Sequence, residues 1–434
     1  MKKRILLILV LLAFGKNLVA QKHSTIHTED IDNFWTAYDA IQKATDLSRK
    51  IEIINKQYID KGSEGLKAFM VARQYSDSLW IKLIDEHPKF WNSIRPNTLA
   101  IKRKTAELEK GVKKLKAIYP DLKPAEIYFT IGGLRSGGTV KDNLVLVGAE
   151  IATGNANTDV SEFDNDWFKN VFEEQSLDNI VYLNIHEYIH TQQNPNGSSL
   201  LGQVIREGSC DFITELALQK PIKTKYMSYG LANTNSIKDR FKKELFSDSF
   251  ENWLYNGRQR PEDADLGYYV GYEICKAYYQ KAKNKKQAVK NIIELDFSSD
   301  SALELFLEKS GFYPEKLDKD AIKEAYEKLQ PTIVSLEPFN NGDQNVDATT
   351  KELRIVFSRQ MMPKRYSISL SEKGKEYFPL KNVKGFENDN RILVLGVELK
   401  AQKDYEFVIT NKGFKSKDGY PLKEDKYLIK FRTK

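Results

Sequence analysis

The sequence predicts an α+β protein, mainly helical with a small sheet, that ends in an all-β sandwich. Three observations carry this expectation. Apolar residues recur at helical spacing through residues 30–116 and again through 236–328. Between these stretches, Ile127-Tyr-Phe-Thr-Ile131 and Leu144-Val-Leu-Val147 have the length and composition of strands in a small sheet at about residues 125–152. After Gln330-Pro331 the pattern changes to short alternating segments separated by turn residues, at the spacing of a sandwich. The 434 residues thus divide into 1–20, 21–329 and 331–434, the second part being large enough to bury a normal core.

At the amino terminus, Met1-Lys-Lys-Arg4 precedes an apolar stretch at residues 5–14, and Leu18-Val-Ala20 offers a small-residue cleavage site before Gln21. Residues 1–20 read as a secretory signal peptide. The apolar part is short for a membrane span, and no cysteine follows that could be lipidated. The expectation is soluble export to the periplasm or the exterior, with no transmembrane segment in the mature chain. Loss of Lys2, Lys3, Arg4 and Lys16 takes the formal net charge from +7 to +3. The remaining lysines lie along solvated helix faces, as at 102–116 and 281–286, without interleaved stacking aromatics, which argues against a nucleic-acid partner. Cys210 and Cys275 are the only cysteines. Two buried free thiols are the default reading, and a single bridge between them is the alternative.

The chemistry concentrates in Ile180-Val-Tyr-Leu-Asn-Ile-His-Glu-Tyr-Ile-His190, an HExxH sequence. On a helix the i, i+4 spacing puts His186 and His190 on one face, where they can share a metal, while Glu187 can reach a metal-bound water. Zinc is the expected ion. Histidine is scarce, with five in the chain, so an accidental copy is a poor explanation. The bland alternative is an amphipathic helix with two surface histidines, but the apolar flank of Ile180, Val181, Leu183, Ile185 and Ile189 suits a buried one.

A catalytic zinc site has three protein ligands and an open position. After a turn-rich loop at residues 194–199, a second helical pattern runs from about Leu200 to Gln219 and contains Arg206-Glu-Gly-Ser-Cys-Asp211. Glu207 and Asp211 lie one helical turn apart on one face, with Glu215 continuing the stripe. A helix-loop-helix of this length can return Glu207 to the histidines.

This combination resembles the gluzincin metallopeptidases, the thermolysin-like group in which HExxH is completed by a glutamate within ExxxD. The resemblance implies that His186, His190 and Glu207 bind Zn2+, that Glu187 is the general base, and that Asp211 hydrogen-bonds the far nitrogen of His186. More narrowly, residues 29–314 resemble a bacterial zinc-protease family of Bacteroidota related to gliding-motility lipoproteins. The segments that carry this are Asp30-Ile-Asp-Asn-Phe-Trp35, Gly62-Ser-Glu-Gly-Leu66, Gly137-Gly-Thr139, the two zinc-site segments and Gly267-Tyr-Tyr-Val-Gly-Tyr272. Cys210 stands where that family usually has alanine. Such enzymes add a second electrophile for the oxyanion; no histidine follows His190, and Tyr268, Tyr269 and Tyr272 are candidates, Tyr268 being favoured by the resemblance.

The glycine-rich stretch Gly132-Gly-Leu-Arg-Ser-Gly-Gly-Thr139 between the two apolar runs is no phosphate loop, since no lysine follows at the required spacing. An ordinary hairpin loop is the plain reading of most of its residues. The gluzincin resemblance implies an edge strand above the metal that pairs with an extended peptide. From Pro331 onward, Pro331-Thr-Ile-Val-Ser-Leu-Glu-Pro338, Asn345-Val-Asp347, Ile355-Val-Phe-Ser-Arg-Gln-Met361 and Lys430-Phe-Arg-Thr433 resemble the bacterial Ig-like domain of surface-layer and exported proteins. Such modules bind, space or orient. Two functions follow as expectations: an exported zinc metallopeptidase acting on peptides or proteins, or a non-catalytic binding or assembly protein that keeps the peptidase fold and meets a cell-envelope partner through its Ig-like domain. A purely structural zinc site is less consistent with these ligands, because closed sites favour cysteine.

Overall fold

The computed structural model describes residues 25–434 apart from 196, 258, 259 and 261. Residues 1–20, read as a signal peptide, lie outside the described residues. The described chain is α+β, with a helical region that contains one small sheet and a β-rich region after it.

A two-residue strand, β1 (Ile26–His27), leads into α1 (Glu29–Ile41), α2 (Leu47–Ile54), α3 (Glu64–Arg73), α4 (Asp77–Glu86), α5 (Pro88–Ala100) and α6 (Thr105–Ile118). Polar residues set the starts of three of these helices. Asp46, Ser63 and Ser76 each accept an otherwise unpaired backbone N–H at the first turn of α2, α3 and α4. Large aromatics fill the space between the helices: Phe34, Tyr58, Trp80, Phe90 and Trp91 are fully buried. Their ring pairs are mostly edge-on or tilted.

The small sheet adds β2 (Glu126–Thr130), β3 (Gly138–Lys141) and β4 (Leu144–Gly148) to β1, in the order β1-β2-β4-β3. The two apolar runs are its central strands, and β4 is buried along its whole length. The plain hairpin reading of the loop between them is corrected here. Strands β2 and β4 run parallel, with Ile127 opposite Val145, so the chain must cross over before re-entering the sheet. Part of the glycine-rich stretch becomes β3, which returns as the antiparallel edge. No apolar alternation marks Gly138-Thr-Val-Lys141, because an edge strand has little apolar surface to bury.

Beyond the sheet come α7 (Ala149–Ala152), α8 (Trp167–Glu174), α9 (Ile180–His190), α10 (Leu200–Leu218), α11 (Lys225–Ala232), α12 (Thr234–Lys242), α13 (Leu266–Lys281), α14 (Lys285–Ile293), α15 (Asp300–Ser310) and α16 (Lys319–Glu327). Ser199 starts α10 by accepting from Gly202 N, and Gln219, with φ +56°, ends it. Helices α10 and α13 cross at backbone contact through two glycines. A Cβ on Gly271 would sit 1.8 Å from the Val204 carbonyl oxygen, and one on Gly208 would sit 2.1 Å from Tyr272 N. Only hydrogen fits at either position.

The β-rich region forms two antiparallel sheets: β5 (Ile333–Glu337), β6 (Glu352–Phe357), β9 (Ile392–Val397) and β8 (Leu380–Glu387) in one, and β11 (Lys426–Arg432), β10 (Asp404–Thr410) and β7 (Ile368–Leu370) in the other. Alternate residues point into the space between them. Leu353, Ile355, Leu393 and Leu395 from one sheet share a core with Phe407, Ile409, Ile429 and Phe431 from the other. This core is separate from that of the helical region. The two regions meet through polar contacts: Glu251 pairs with Arg365 at 3.3 Å and with Lys415, Lys423 pairs with Glu327 at 3.0 Å, and Tyr420 OH donates to Glu244 at 3.4 Å.

Candidate metal centre

Helix α9 is buried along most of its length, which follows from apolar residues at Ile180, Ile185 and Ile189. His186 and His190 therefore enter the interior, 9% and 8% exposed. Glu187, between them, is half-buried. Helix α10 folds back against α9 and delivers Glu207 and Asp211, 4% and 0% exposed.

Each histidine is held by its Nδ1. That of His186 lies 2.7 Å from Asp211 Oδ1, and that of His190 lies 2.7 Å from Gln193 Oε1. Both Nε2 atoms then face one carboxylate oxygen, Glu207 Oε2, at 3.6 Å from His186 and 3.2 Å from His190. Two donors each about 2.1 Å from a tetrahedral zinc are about 3.4 Å apart. The two separations from Glu207 Oε2 are of that size, so these donors fit a zinc ion. Cys210 also comes near, its Sγ 3.4 Å from His190 Nδ1, and could join the two histidines as a ligand cluster. That nitrogen is already bonded to Gln193, whereas the Nε2 atoms converge, so Glu207 is the better third donor. Cys210 and Cys275 are both buried and unbonded, with burial pushing both thiols up in pKa.

A second layer of hydrogen bonds orients these groups. Asp211 accepts from Tyr182 OH at 2.5 Å through Oδ1 and from Tyr226 OH at 2.7 Å through Oδ2. Gln193 is fixed in turn by donating to Arg206 O at 2.9 Å and to Ser209 Oγ at 2.8 Å. The other oxygen of Glu207 accepts from Tyr255 OH at 2.9 Å. Such partners set imidazole tautomer and ligand direction.

The protonation of the cluster follows from burial and charge. For His186, burial opposes the charged form, but hydrogen bonds to Asp211 and Glu207 outweigh it and raise the pKa to about 10. Burial alone would raise Glu207, yet the two histidines hold it well below the usual carboxylate range. Tyr182, Tyr226 and Tyr268 are pushed well up, first by burial and then by the carboxylates of Asp211 or Glu207, so they remain neutral donors.

All six residues assigned from sequence come together: His186, His190 and Glu207 at the centre, Asp211 behind, Glu187 half-buried by strand β3 and Tyr268 beside His186 with ring centroids 6.2 Å apart. Tyr269 and Tyr272 do not. Tyr269 OH pairs with Thr234 at 2.6 Å, and Tyr272 OH donates to Glu215 at 2.7 Å, which also takes Glu215 out of the stripe. Four contributors carried no sequence expectation: Tyr182, Gln193, Tyr226 and Tyr255. Tyr182 was within reach, being four residues before His186 on the same helix face.

Glu187 lies against the sheet. A Cβ on Gly138, in edge strand β3, would lie 3.2 Å from Glu187 Oε1. On another side a groove of about 1110 Å³ passes Tyr182, Tyr226 and Asp265.

Fold and site define the chain as an α+β protein with a buried histidine–histidine–carboxylate centre. It belongs to the family of gliding motility protein GldB, whose sequence model it matches over residues 16–314. No curated protein sequence matches it. Among solved structures, it is similar to CopC from Methylosinus trichosporium OB3b at 23% identity, over 24% of this chain and 93% of that one, with a TM-score of 0.19. It is also similar to the S-layer protein rSbsC(31-844) at 16% identity, over 59% of this chain and 32% of that one, with a TM-score of 0.18. No helix among the described residues is long and apolar enough to cross a membrane.

Proposed function

We propose that this chain is a cell-envelope zinc protein of the gliding-motility family whose centre hydrolyses peptide bonds in a peptide or protein substrate. The observation that carries this reading is the convergence of both Nε2 atoms on Glu207 while Glu187, next to His186, stays half-buried beside edge strand β3. His186, His190 and Glu207 would hold the metal. Zinc there supplies Lewis-acid polarisation of water and of a substrate carbonyl.

The chain's own residues supply the rest. Glu187 takes a proton from the attacking water and returns it to the leaving amine. Asp211 and Gln193 keep both imidazoles turned toward the centre. Tyr268, protonated by burial, offers a neutral donor for the oxyanion next to His186. Among the described residues the edge strand β3 has one side without a strand partner, and it suits pairing with an extended peptide, as in gluzincin-like sites. The β-sandwich, Ig-like in its sequence segments, would position the enzyme or its substrate in the envelope.

Family membership favours a second reading, a binding or assembly role in the gliding machinery without turnover. One paired experiment separates the two. Purified wild-type protein is expected to bind about one zinc per chain and to cleave an unfolded-protein library, whereas Glu187→Gln keeps the metal and cleaves at least about a hundredfold more slowly. Zinc binding with no cleavage by the wild type supports the assembly role. A wild type that takes up no zinc overturns the metal centre itself.

A further inference from the structure

The metal centre and the interface with the β-sandwich share one residue. Tyr255 is 59% exposed as a whole residue and has a left-handed backbone, φ +58°, yet its hydroxyl reaches inward to the 4%-exposed Glu207. A non-glycine residue keeps such a conformation only where its surroundings hold it. On the inner side the segment is anchored by Gly267 N donating to Trp253 O at 2.7 Å and by Arg240 donating to Asn252 O at 3.0 Å.

On the outer side the anchors come from the sandwich. Glu251, four residues before Tyr255, is gripped by Lys415 and by Arg365. Lys415 is 5% exposed, so its charge has been taken out of water to face Glu251. The backbone of Gly419 presses on the next residue, since a Cβ there would lie 2.0 Å from Asn252 Oδ1. Glu251, Tyr255, Arg365 and Lys415 line one cavity of about 560 Å³ between the regions.

We propose that the β-sandwich, by clamping Glu251 and Asn252, sets the position of Tyr255 on Glu207 and so tunes the affinity of the metal centre. Tyr255 is a positioning residue in this scheme, and the sandwich is part of the site without touching it. The inference rests on the zinc reading above.

The test uses the full chain. Zinc affinity is measured by competition with a chromogenic chelator, and ligand geometry by the visible spectrum of the Co2+-substituted protein. Tyr255→Phe and Glu251→Gln are each expected to weaken zinc binding about tenfold and to alter the Co2+ spectrum in the same way. The double variant should be no weaker than Tyr255→Phe alone, because both changes release the same hydroxyl. Arg365→Gln, at a half-buried position on the sandwich side, should act in the same direction and serves if Glu251→Gln fails to fold. Folded clamp variants with wild-type affinity and spectrum overturn the clamp, as does an unaffected Tyr255→Phe. A wild type that binds no zinc overturns both the clamp and the metal reading, which distinguishes the two failures.

Discussion

The helical region and the β-sandwich solve the problem of burial in opposite ways. The sandwich core is mostly apolar, and its buried charged residues among the described residues are Glu406 and Lys415, the latter facing the other region. The helical region buries Asp30, Glu150, His186, His190, Glu207, Asp211 and Glu244, each with polar partners. Burying charge is costly unless it is paired, so a region that does so repeatedly is organised around those groups. The sandwich core could exchange apolar side chains of similar volume without disturbing a buried charge. The helical region could not.

This contrast can be broken or sharpened by substitution. The largest effect is expected from Gly271→Ala. Its Cβ would collide with the Val204 carbonyl, forcing α10 and α13 apart at the turn that carries Glu207, so thermal unfolding should show a loss of about 4 kcal/mol or more together with loss of zinc binding. A folded Gly271→Ala protein with unchanged metal affinity would show that the crossing does not support the centre.

Leu393→Ala, in the sandwich core at 0% exposure, should cost about 2–5 kcal/mol in denaturant unfolding yet leave metal affinity unchanged, because its core is separate. Weaker zinc binding in this variant would mean that the sandwich acts on the centre through its packing as well as through the clamp.

The smallest effect concerns pH. Burial raises the Glu150 carboxyl to about 7, against backbone hydrogen bonds from Gly132 and Leu134 that pull it down. Folded protein then holds a proton that the unfolded chain has lost, so stability falls as pH rises from about 4.5 to about 7 and is level above that. The loss is about 3 kcal/mol, and it should vanish in Glu150→Gln when both proteins are melted across this range. Identical pH slopes would rule the effect out. Glu406 in the sandwich behaves oppositely: burial would raise it, but Lys373 and Ser371 together hold it below its usual value, so its contribution is lost as pH falls.

Much of this was legible in the chain. The i, i+4 histidines, the glutamate between them and the carboxylate pair one turn apart on the next helix each depend on helical geometry over a few residues, and periodicity reveals that geometry directly. The strands at 352–357 and 426–432 alternate clearly for the same reason, while 392–397 stands out as a continuous apolar run of a central strand. Strands β3 and β8 do not, since Gly138-Thr-Val-Lys141 and Leu380-Lys-Asn-Val-Lys-Gly-Phe-Glu387 lie at sheet edges with little to bury. The parallel pairing of β2 with β4 was likewise hidden, because it depends on where an intervening strand inserts.

By itself the sequence determined the donor types, their spacing along two helices and the division into a helical and a β-rich part, all of which are local consequences of side-chain chemistry and backbone period. Only the tertiary structure decided that Glu207 faces both Nε2 atoms while Cys210 Sγ lies against His190 Nδ1. It also decided that Tyr226 and Tyr255, from segments far along the chain, complete the hydrogen bonds of Asp211 and Glu207. The direction of a hydrogen bond between remote segments is set by how whole helices pack, and here that packing turns on two glycines that let α10 and α13 touch.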